Sequence, residues 1–234
     1  MDLSTFLRNG IPISSIELIA ALAGTYYLRT TQYDKMTKQL VIFLWFTFLT
    51  ELLAWYAPLS HFSDYKFLGF VKDTPFKANY WIYNIYLIIS FSFYVHFFNS
   101  YLRDRKWNVL LNWMNVVYVI SAILYLLITD TFFKSFSMFT NIAGTLLLFI
   151  AIILLFYQVL RSDLLLKLKH WLPLYVAIGV LIFNACITPI DIFSIYFKAE
   201  NNVFVTFRAD IDLIAITFLY LTFTIGFLIC SRKK

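Results

Sequence analysis

Two glutamates are the residues of this sequence best suited to chemistry. Glu17 lies in the apolar stretch SSIELIAALAG, and Glu51 lies in FLTELLAWY. An acidic side chain inside a membrane helix costs about 2.5–3.5 kcal/mol on insertion scales and usually marks a binding site or an ion path. Two such carboxyl groups at one depth in adjacent helices can share a proton or bind a cation. We therefore take both as candidate site residues; the alternative is that each is a protonated or snorkelling structural residue.

The elements that must position these glutamates are apolar helices. The chain has 234 residues, of which 61% are hydrophobic and 14% are charged, whereas a soluble domain carries about 25% charge. Seven apolar runs are long enough to cross the hydrocarbon core of about 30 Å. They cover residues 12–28, 39–57, 79–101, 107–128, 136–159, 171–189 and 210–231. The sequence therefore predicts an all-α, polytopic integral membrane bundle of seven transmembrane helices, formed as a single domain over residues 1–234.

The basic residues predict the orientation of the bundle. Segments 29–38, 102–106, 160–170 and 232–234 hold 12 of the 19 Lys and Arg residues. By the positive-inside rule the N-terminus is outside and the C-terminus is cytoplasmic. The residue bias towards Phe, Tyr, Ile, Asn and Lys is typical of an AT-rich genome and indicates a bacterial inner membrane. Because the basic residues form no patch, we expect no nucleic-acid partner.

Polar residues of six predicted helices fall at a similar depth in this topology. Five lie about 7–10 Å below the outer surface, and the sixth starts the last helix. We predict that they line a ligand pocket in the outer half of the bundle. The residues are Glu17, Glu51, Asn84, Asn141, Asn184 and Asp212.

A second polar layer is predicted near the inner face, formed by His96, Asn99, Asn112, Asn115 and Gln158. On the third predicted helix, Asn84, Ser92, His96 and Asn99 share about a third of the circumference, so this face is expected to turn inward. The alternative interpretation of these amides is that each only joins two helices.

Two outer loops are longer than the others. Segment 58–78 mixes apolar and basic residues, which fits a helix lying at the membrane interface or an ordinary connector. Segment 190–209 has two β-rich runs around Glu200-Asn201-Asn202, which predicts a small external hairpin.

Several chemistries are excluded by missing residues. Segment 210–231 contains no lysine that could bind retinal. His61, His96 and His170 are predicted outside, within and inside the membrane, so they cannot meet at one zinc ion. We expect no metal site, no cofactor and no enzymatic activity. An intramembrane hydrolase using Glu17, Glu51 and Asp212 is kept as an alternative.

Three stretches carry a resemblance. IELIAALAGTYYL, FLTELLAWY and NYWIYNIYLIISFSFY together resemble small uncharacterised seven-helix membrane proteins of Bacteroidota, mainly over the first three helices. The first stretch is also similar to the first helix of vitamin-precursor transporters, but the tryptophan-rich substrate motif of that family is not evident later. Neither resemblance implies particular site residues.

The leading functional prediction is a non-enzymatic membrane sensor or membrane-complex subunit, embedded in the lipid bilayer, with a ligand in the outer pocket. A cytoplasmic or membrane protein partner would read helix movement through basic loop residues, namely Arg103, Arg105, Lys106, Lys167 and Lys169. The alternative is a small-solute or ion transporter that uses the two polar layers as gates. A third hypothesis is a structural subunit whose polar groups only orient helices.

Overall fold

The computed structural model describes residues 3–66, 68–194 and 202–231, and within these ranges the chain is helical and has no strand. The helices are α1 (Leu3–Thr30), α2 (Lys35–Ala54), α3 (Tyr56–Phe62), α4 (Tyr80–Ser100), α5 (Arg105–Ile128), α6 (Thr131–Lys134), α7 (Met138–Leu160), α8 (Leu172–Ser194) and α9 (Asn202–Ser231). Short 3-10 segments cover Gly69–Val71, Pro75–Lys77 and Asp163–His170.

Seven helical stretches among the described residues are long and apolar enough to cross a membrane: α1, α2 with α3, α4, α5, α7, α8 and α9. This confirms the predicted all-α class and the number of candidate spans. Large apolar side chains are exposed along these helices, as Leu127 and Ile128 of α5 illustrate. Such exposure is expected of a surface that faces lipid.

The predicted hairpin at 190–209 is wrong for the part that the structure describes. Residues 190–194 complete α8 and residues 202–209 begin α9, while 195–201 lie outside the described residues. Apolar packing overrides the weak strand preference of β-branched and aromatic residues. As a result Asp212 lies well inside α9 rather than at its start. In the other long loop, the described chain forms the end of α3 and two short 3-10 turns.

The chain divides into two compact units by its contacts. Unit 1 comprises Met1–Phe48 and Ile152–Lys234, and unit 2 comprises Leu49–Ala151. Helices α2 and α7 each contribute residues to both units. The prediction of a single domain stays a prediction.

In unit 1, α9 packs between α1 and α8. The side chain of Arg8 meets that of Asp210, and Tyr27 stacks against Phe227, so α1 and α9 run parallel. A seven-span chain requires this direction, because its first and seventh helices cross the membrane the same way. Helices α8 and α9 are antiparallel, since Asp191 meets Arg208 near one end of the pair.

Glycines set the close approach of these helices. A Cβ built on Gly226 would lie 2.7 Å from the Tyr175 Cβ atom on α8. A Cβ on Gly24 would lie 2.8 Å from Val41 and 3.2 Å from Phe227. Small residues at such positions let helix backbones pack tightly in membranes.

In unit 2, α4 and α5 form a helical hairpin. The Asp104 side chain caps α5 by accepting a hydrogen bond from the Lys106 N–H at 2.9 Å. Hydrogen bonds hold the end of the loop that follows α3. The Tyr56 hydroxyl, at the start of α3, donates to the Phe76 carbonyl at 2.6 Å. The Asn79 amide donates to the Ala54 carbonyl at 3.0 Å.

Candidate functional site

A charged cluster joins two helices of unit 1. The Arg208 guanidinium on α9 donates a hydrogen bond to Asp191 on α8 at 2.5 Å. Its Nε atom lies 3.8 Å from a carboxylate oxygen of Asp212, one turn further along α9. The three side chains are largely withdrawn from the surface, with 32%, 17% and 35% exposed in the order Arg208, Asp191, Asp212. Charged groups set this way in apolar helices are candidates for function.

A second ion pair lies next to this cluster along α9. Arg8 Nη2 of α1 is 3.5 Å from Asp210 Oδ1, and both side chains are more than half exposed. An exposed pair of this kind adds little to stability. It adds charge at the same end of unit 1 as Arg208.

Helix α1 carries three buried polar side chains. Asn9, Ser14 and Glu17 are 6%, 8% and 5% exposed. Taking about 100° per residue, Glu17 projects within roughly 20° of Gly24, whose position faces both Val41 of α2 and Phe227 of α9. Asn9 and Ser14 lie on the two flanks of the same face.

Two of these side chains have buried polar atoms without a partner. Within the described chain, neither the Asn9 amide nor the Ser14 hydroxyl makes a hydrogen bond. Buried polar groups are nearly always paired with protein, water or ligand. Asn9 and Ser14 therefore offer hydrogen-bonding capacity inside unit 1.

Helix α8 adds two buried polar residues, Asn184 and Thr188. The Asn184 amide donates to the Val180 carbonyl of its own helix at 2.8 Å. We use the name polar band for a set of polar and charged residues of α1, α8 and α9. The helix pairings place them at the level of the first part of α9, from Arg208 to about Leu219. This part of α9 is roughly 16 Å long. The polar band consists of Asn9, Ser14, Glu17, Asn184, Thr188, Asp191, Arg208 and Asp212.

Three of the predicted outer residues lie in the polar band: Glu17, Asn184 and Asp212. The other five members of the band were not predicted: Asn9, Ser14, Thr188, Asp191 and Arg208. The four-residue spacing of Arg208 and Asp212 was an available signal of a helical pair. It was hidden by the expectation of a hairpin there.

The other three predicted outer residues, Glu51, Asn84 and Asn141, belong to unit 2. The Tyr83 hydroxyl donates to the Glu51 carboxylate at 2.8 Å. The Tyr83 ring lies 5.8 Å from that of Phe136. Glu51 is thus hydrogen-bonded to an aromatic residue that packs against a second aromatic ring. A functional role for Glu51 stays a prediction.

Asn84 is fully engaged with backbone groups. Its Nδ2 atom donates to the carbonyls of Phe132 at 3.1 Å and Ser135 at 2.9 Å, and lies 3.4 Å from that of Thr131. Its Oδ1 atom accepts from the Ser137 N–H at 2.8 Å. These contacts support a structural role and leave ligand binding by Asn84 as a prediction. Asn141, on α7, is half-buried.

Four of the predicted inner residues lie in unit 2, and amides dominate the contacts there. The Asn99 amide donates to the Asn112 side chain at 2.8 Å and to the Asn108 carbonyl at 3.0 Å. The Asn108 amide, which was not among the predicted residues, donates back to the Asn99 carbonyl at 3.1 Å. The Asn115 amide donates a hydrogen bond to the Ser92 carbonyl at 3.2 Å. These hydrogen bonds join α4 and α5, as the structural interpretation of the inner layer expected.

The remaining inner residues differ from this pattern. His96 is exposed, so the expectation that the whole polar face of its helix turns inward is wrong for this residue. Gln158 is half-buried in unit 1.

The basic loop residues predicted to meet a partner are accessible where their side chains are described. Arg103, Arg105, Lys106 and Lys169 are exposed, whereas the Lys167 side chain lies outside the described part. Among the described residues, no group of three His, Cys, Asp or Glu side chains is arranged to hold a metal ion.

Comparison of the chain with models of protein families, with curated proteins and with solved structures finds no match. The resemblance to the Bacteroidota proteins therefore stays a prediction.

Proposed function

We propose that the protein is a multi-pass sensor or membrane-complex subunit of a bacterial inner membrane, with its N-terminus outside. A ligand from outside binds in the polar band, and a cytoplasmic partner reads the resulting helix movement. The observation that carries this proposal is the Arg208 bridge to Asp191 and Asp212. A ligand that interacts with this bridge changes a charged link between α8 and α9.

The inner ends of the same helices offer a route for the signal. The 3-10 segment Asp163–His170 packs on α9 and carries the exposed Lys169. The Tyr175 hydroxyl of α8 donates to the Lys169 carbonyl at 2.9 Å. Movement of α8 against α9 therefore reaches a basic loop that the proposed topology places in the cytoplasm.

Tight packing supports transmission along this route. Gly226 brings α9 against Tyr175, and Phe223 and Phe227 are fully buried between the two ends. Close-packed interiors respond to a local displacement by moving as rigid elements. A displacement of α8 at the Arg208 contact is thus expected to shift the inner end of α8 as well, because the close-packed segment between the two ends moves as a rigid element.

The alternatives differ in what they require. A transporter needs a polar path through the membrane, yet the Asn99, Asn108 and Asn112 amides are engaged in joining α4 to α5. A structural subunit needs no ligand in the polar band. Both remain alternatives that the experiment below separates from a sensor.

Native mass spectrometry of the protein, gently extracted from its own membrane, tests the proposal. We expect a stoichiometric protein partner whose association weakens in Lys169→Ala and Arg105→Ala. Lys134→Ala, an exposed basic residue on the predicted outer side, is the matched control and should leave the partner bound. Solute uptake by liposomes containing this protein alone would favour the transporter instead, and absence of both partner and uptake would favour the structural subunit.

A further inference from the structure

We propose that an anionic phospholipid binds in a groove at the start of α5. Its phosphate lies beside Arg105 and Lys106, and an acyl chain follows the apolar face of the helix beyond them. This inference goes beyond the proposed function and does not rest on it. It requires only that α5, one of the seven candidate spans, crosses the membrane.

The groove lies on the outward face of the first turns of α5 and has a volume of about 740 Å³. All of its lining residues are exposed. They are Asp104, Arg105, Lys106, Val109, Leu110 and Trp113. One end of the groove is therefore charged and the other is apolar, as a phospholipid is.

The charged end attracts an anion through its side chains. Within the described chain, neither Arg105 nor Lys106 forms an ion pair. The Asp104 carboxylate accepts from the Lys106 N–H at 2.9 Å, so it already caps the helix. With Arg103 and Asp104 included, residues 103–106 carry three positive charges and one negative charge. Arg and Lys both bind phosphate through charged hydrogen bonds, and basic residues next to a membrane helix attract anionic lipids.

The apolar end continues as a strip along the same face of α5. At about 100° per residue, the side chains of the strip project within roughly 40° of Lys106. The strip ends at Leu124, about 27 Å along the helix axis from Lys106. Its side chains are 45–67% exposed, and they are Leu110, Trp113, Val117, Ile120 and Leu124. An acyl chain can therefore follow this strip while the headgroup stays at the membrane surface, where exposed Trp rings are also favoured.

Other anionic ligands fit less of the groove. A free phosphate ion would use only the end formed by Arg105 and Lys106. An acidic segment of a water-soluble partner would also meet that end, but it could not reach Trp113 without entering the hydrocarbon. A phospholipid matches the charge of the first end and the apolar surface of the second.

Helix α2 offers a matched comparison within the same chain. The Asp34 carboxylate accepts from the Thr37 N–H at 2.6 Å, and the exposed Lys35 and Lys38 lie in the first turn. Lys38 and Trp45 are seven residues apart, as are Lys106 and Trp113. However, the Trp45 indole donates to the Thr25 hydroxyl of α1 at 3.0 Å, whereas Trp113 is 67% exposed. Only α5 thus presents its Trp to a lipid beside the basic residues.

Native mass spectrometry of the purified full chain in detergent, titrated with defined probes, tests the inference. Phosphatidylglycerol supplies the anionic headgroup, and phosphatidylcholine with identical oleoyl chains is the zwitterionic match. Glycerol 3-phosphate supplies the phosphate without acyl chains, and a short polyglutamate peptide represents an acidic protein segment. We expect phosphatidylglycerol to bind about tenfold or more tightly than each of the other three probes.

Variants locate the site on α5. Arg105→Gln combined with Lys106→Gln should weaken phosphatidylglycerol binding by about tenfold or more. Lys35→Gln combined with Lys38→Gln removes the same charge from the start of α2 and should leave affinity close to that of the wild type. If the α5 charge variant fails to insert into the membrane, Trp113→Leu decides in its place. It keeps every charge, and it should lower the affinity by removing one wall of the groove.

The inference is overturned if phosphatidylcholine, glycerol 3-phosphate or polyglutamate binds as tightly as phosphatidylglycerol. It is also overturned if the deciding α5 variant binds phosphatidylglycerol as the wild type does, or if the α2 variant loses as much affinity as the α5 variant. Failure of the sensor proposal is a separate result. Lys169→Ala lies outside the groove and reports on the protein partner alone, so absence of that partner would leave the lipid site standing.

Discussion

Asn84 on α4 accepts a hydrogen bond from the backbone N–H of Ser137 at 2.8 Å, across 53 positions of sequence. The same amide donates to backbone carbonyls of α6 and the residue that follows it. One side chain thereby satisfies both donors and acceptors in the turn that leads into α7. The hydrocarbon core of a membrane contains no water that could replace such hydrogen bonds.

Asn84→Ala is predicted to lower the free energy of unfolding by about 2–3 kcal/mol, because it leaves buried backbone groups without partners. Unfolding by SDS titration from a mild detergent measures this value. Ile85→Ala is the matched control, since Ile85 is the next residue on α4 and is 41% exposed. An equal loss in both variants would contradict the anchoring role of the Asn84 amide.

Arg208 and Asp191 are predicted to be energetically coupled. Removing one member of a buried ion pair is more harmful than removing both, because the other charge is left alone. Since Arg208 is about a third exposed, solvent screening reduces the coupling, and we expect about 1–2 kcal/mol. A double-mutant cycle with Arg208→Gln and Asp191→Asn, read by the same SDS titration, measures it.

The exposed pair of Asp130 and Lys134 is the control for that cycle. The Lys134 ammonium, 2.6 Å away, holds the pKa of the Asp130 carboxyl below its usual range. An ion pair this exposed to solvent nevertheless adds little to stability. Coupling between Arg208 and Asp191 no larger than for this pair would rule out their bridge as a significant link.

Gly226→Ala is predicted to destabilise the protein by about 1–3 kcal/mol, the usual cost of overpacking. The new methyl group would lie 2.7 Å from Tyr175 Cβ and 2.9 Å from its ring, and the ring cannot move without disturbing α8. Gly69→Ala is the control, because a Cβ at Gly69 meets nothing within 4 Å. Thermal unfolding in detergent compares the two. A neutral Gly226→Ala would mean that α8 and α9 separate easily, which would weaken the proposed signal route.

Asn99→Ala is predicted to cost about 1–3 kcal/mol, because Asn99 is buried and joins α4 to α5 through Asn108 and Asn112. Asn112→Ala removes one bond of the same network from an exposed position and should cost less than about 1 kcal/mol. SDS titration of both variants measures the difference. A larger loss in Asn112→Ala would show that the network depends on its exposed member.

The helices were predictable from the sequence because apolar run length is a strong signal. Their ends were less so. Segment 190–209 contains two β-rich runs, yet its described parts continue α8 and begin α9. Arg208 and Asp191 join the two helices there, and a pairing between separate helices cannot be read from local propensity.

The candidate site was predictable only in part. Glu17, predicted as a site residue because it is an acidic side chain in an apolar run, is buried, and its role in ligand binding stays a prediction. Asn9 was not predicted because α1 begins several residues before the apolar run does. His96 was misjudged because angular position alone does not show which neighbours cover a helix face.

The parallel pairing of α1 with α9 has a consequence for synthesis of the chain. Every residue of unit 2 has been made before residue 202 leaves the ribosome, so unit 2 can assemble while synthesis continues. Helix α1 is made long before α9, so Gly24 cannot meet its neighbour Phe227 on α9 until much later. During that interval the α1 face is open to chaperones, to lipid or to another polypeptide. Unit 1 is thus expected to be the late and vulnerable step of biogenesis.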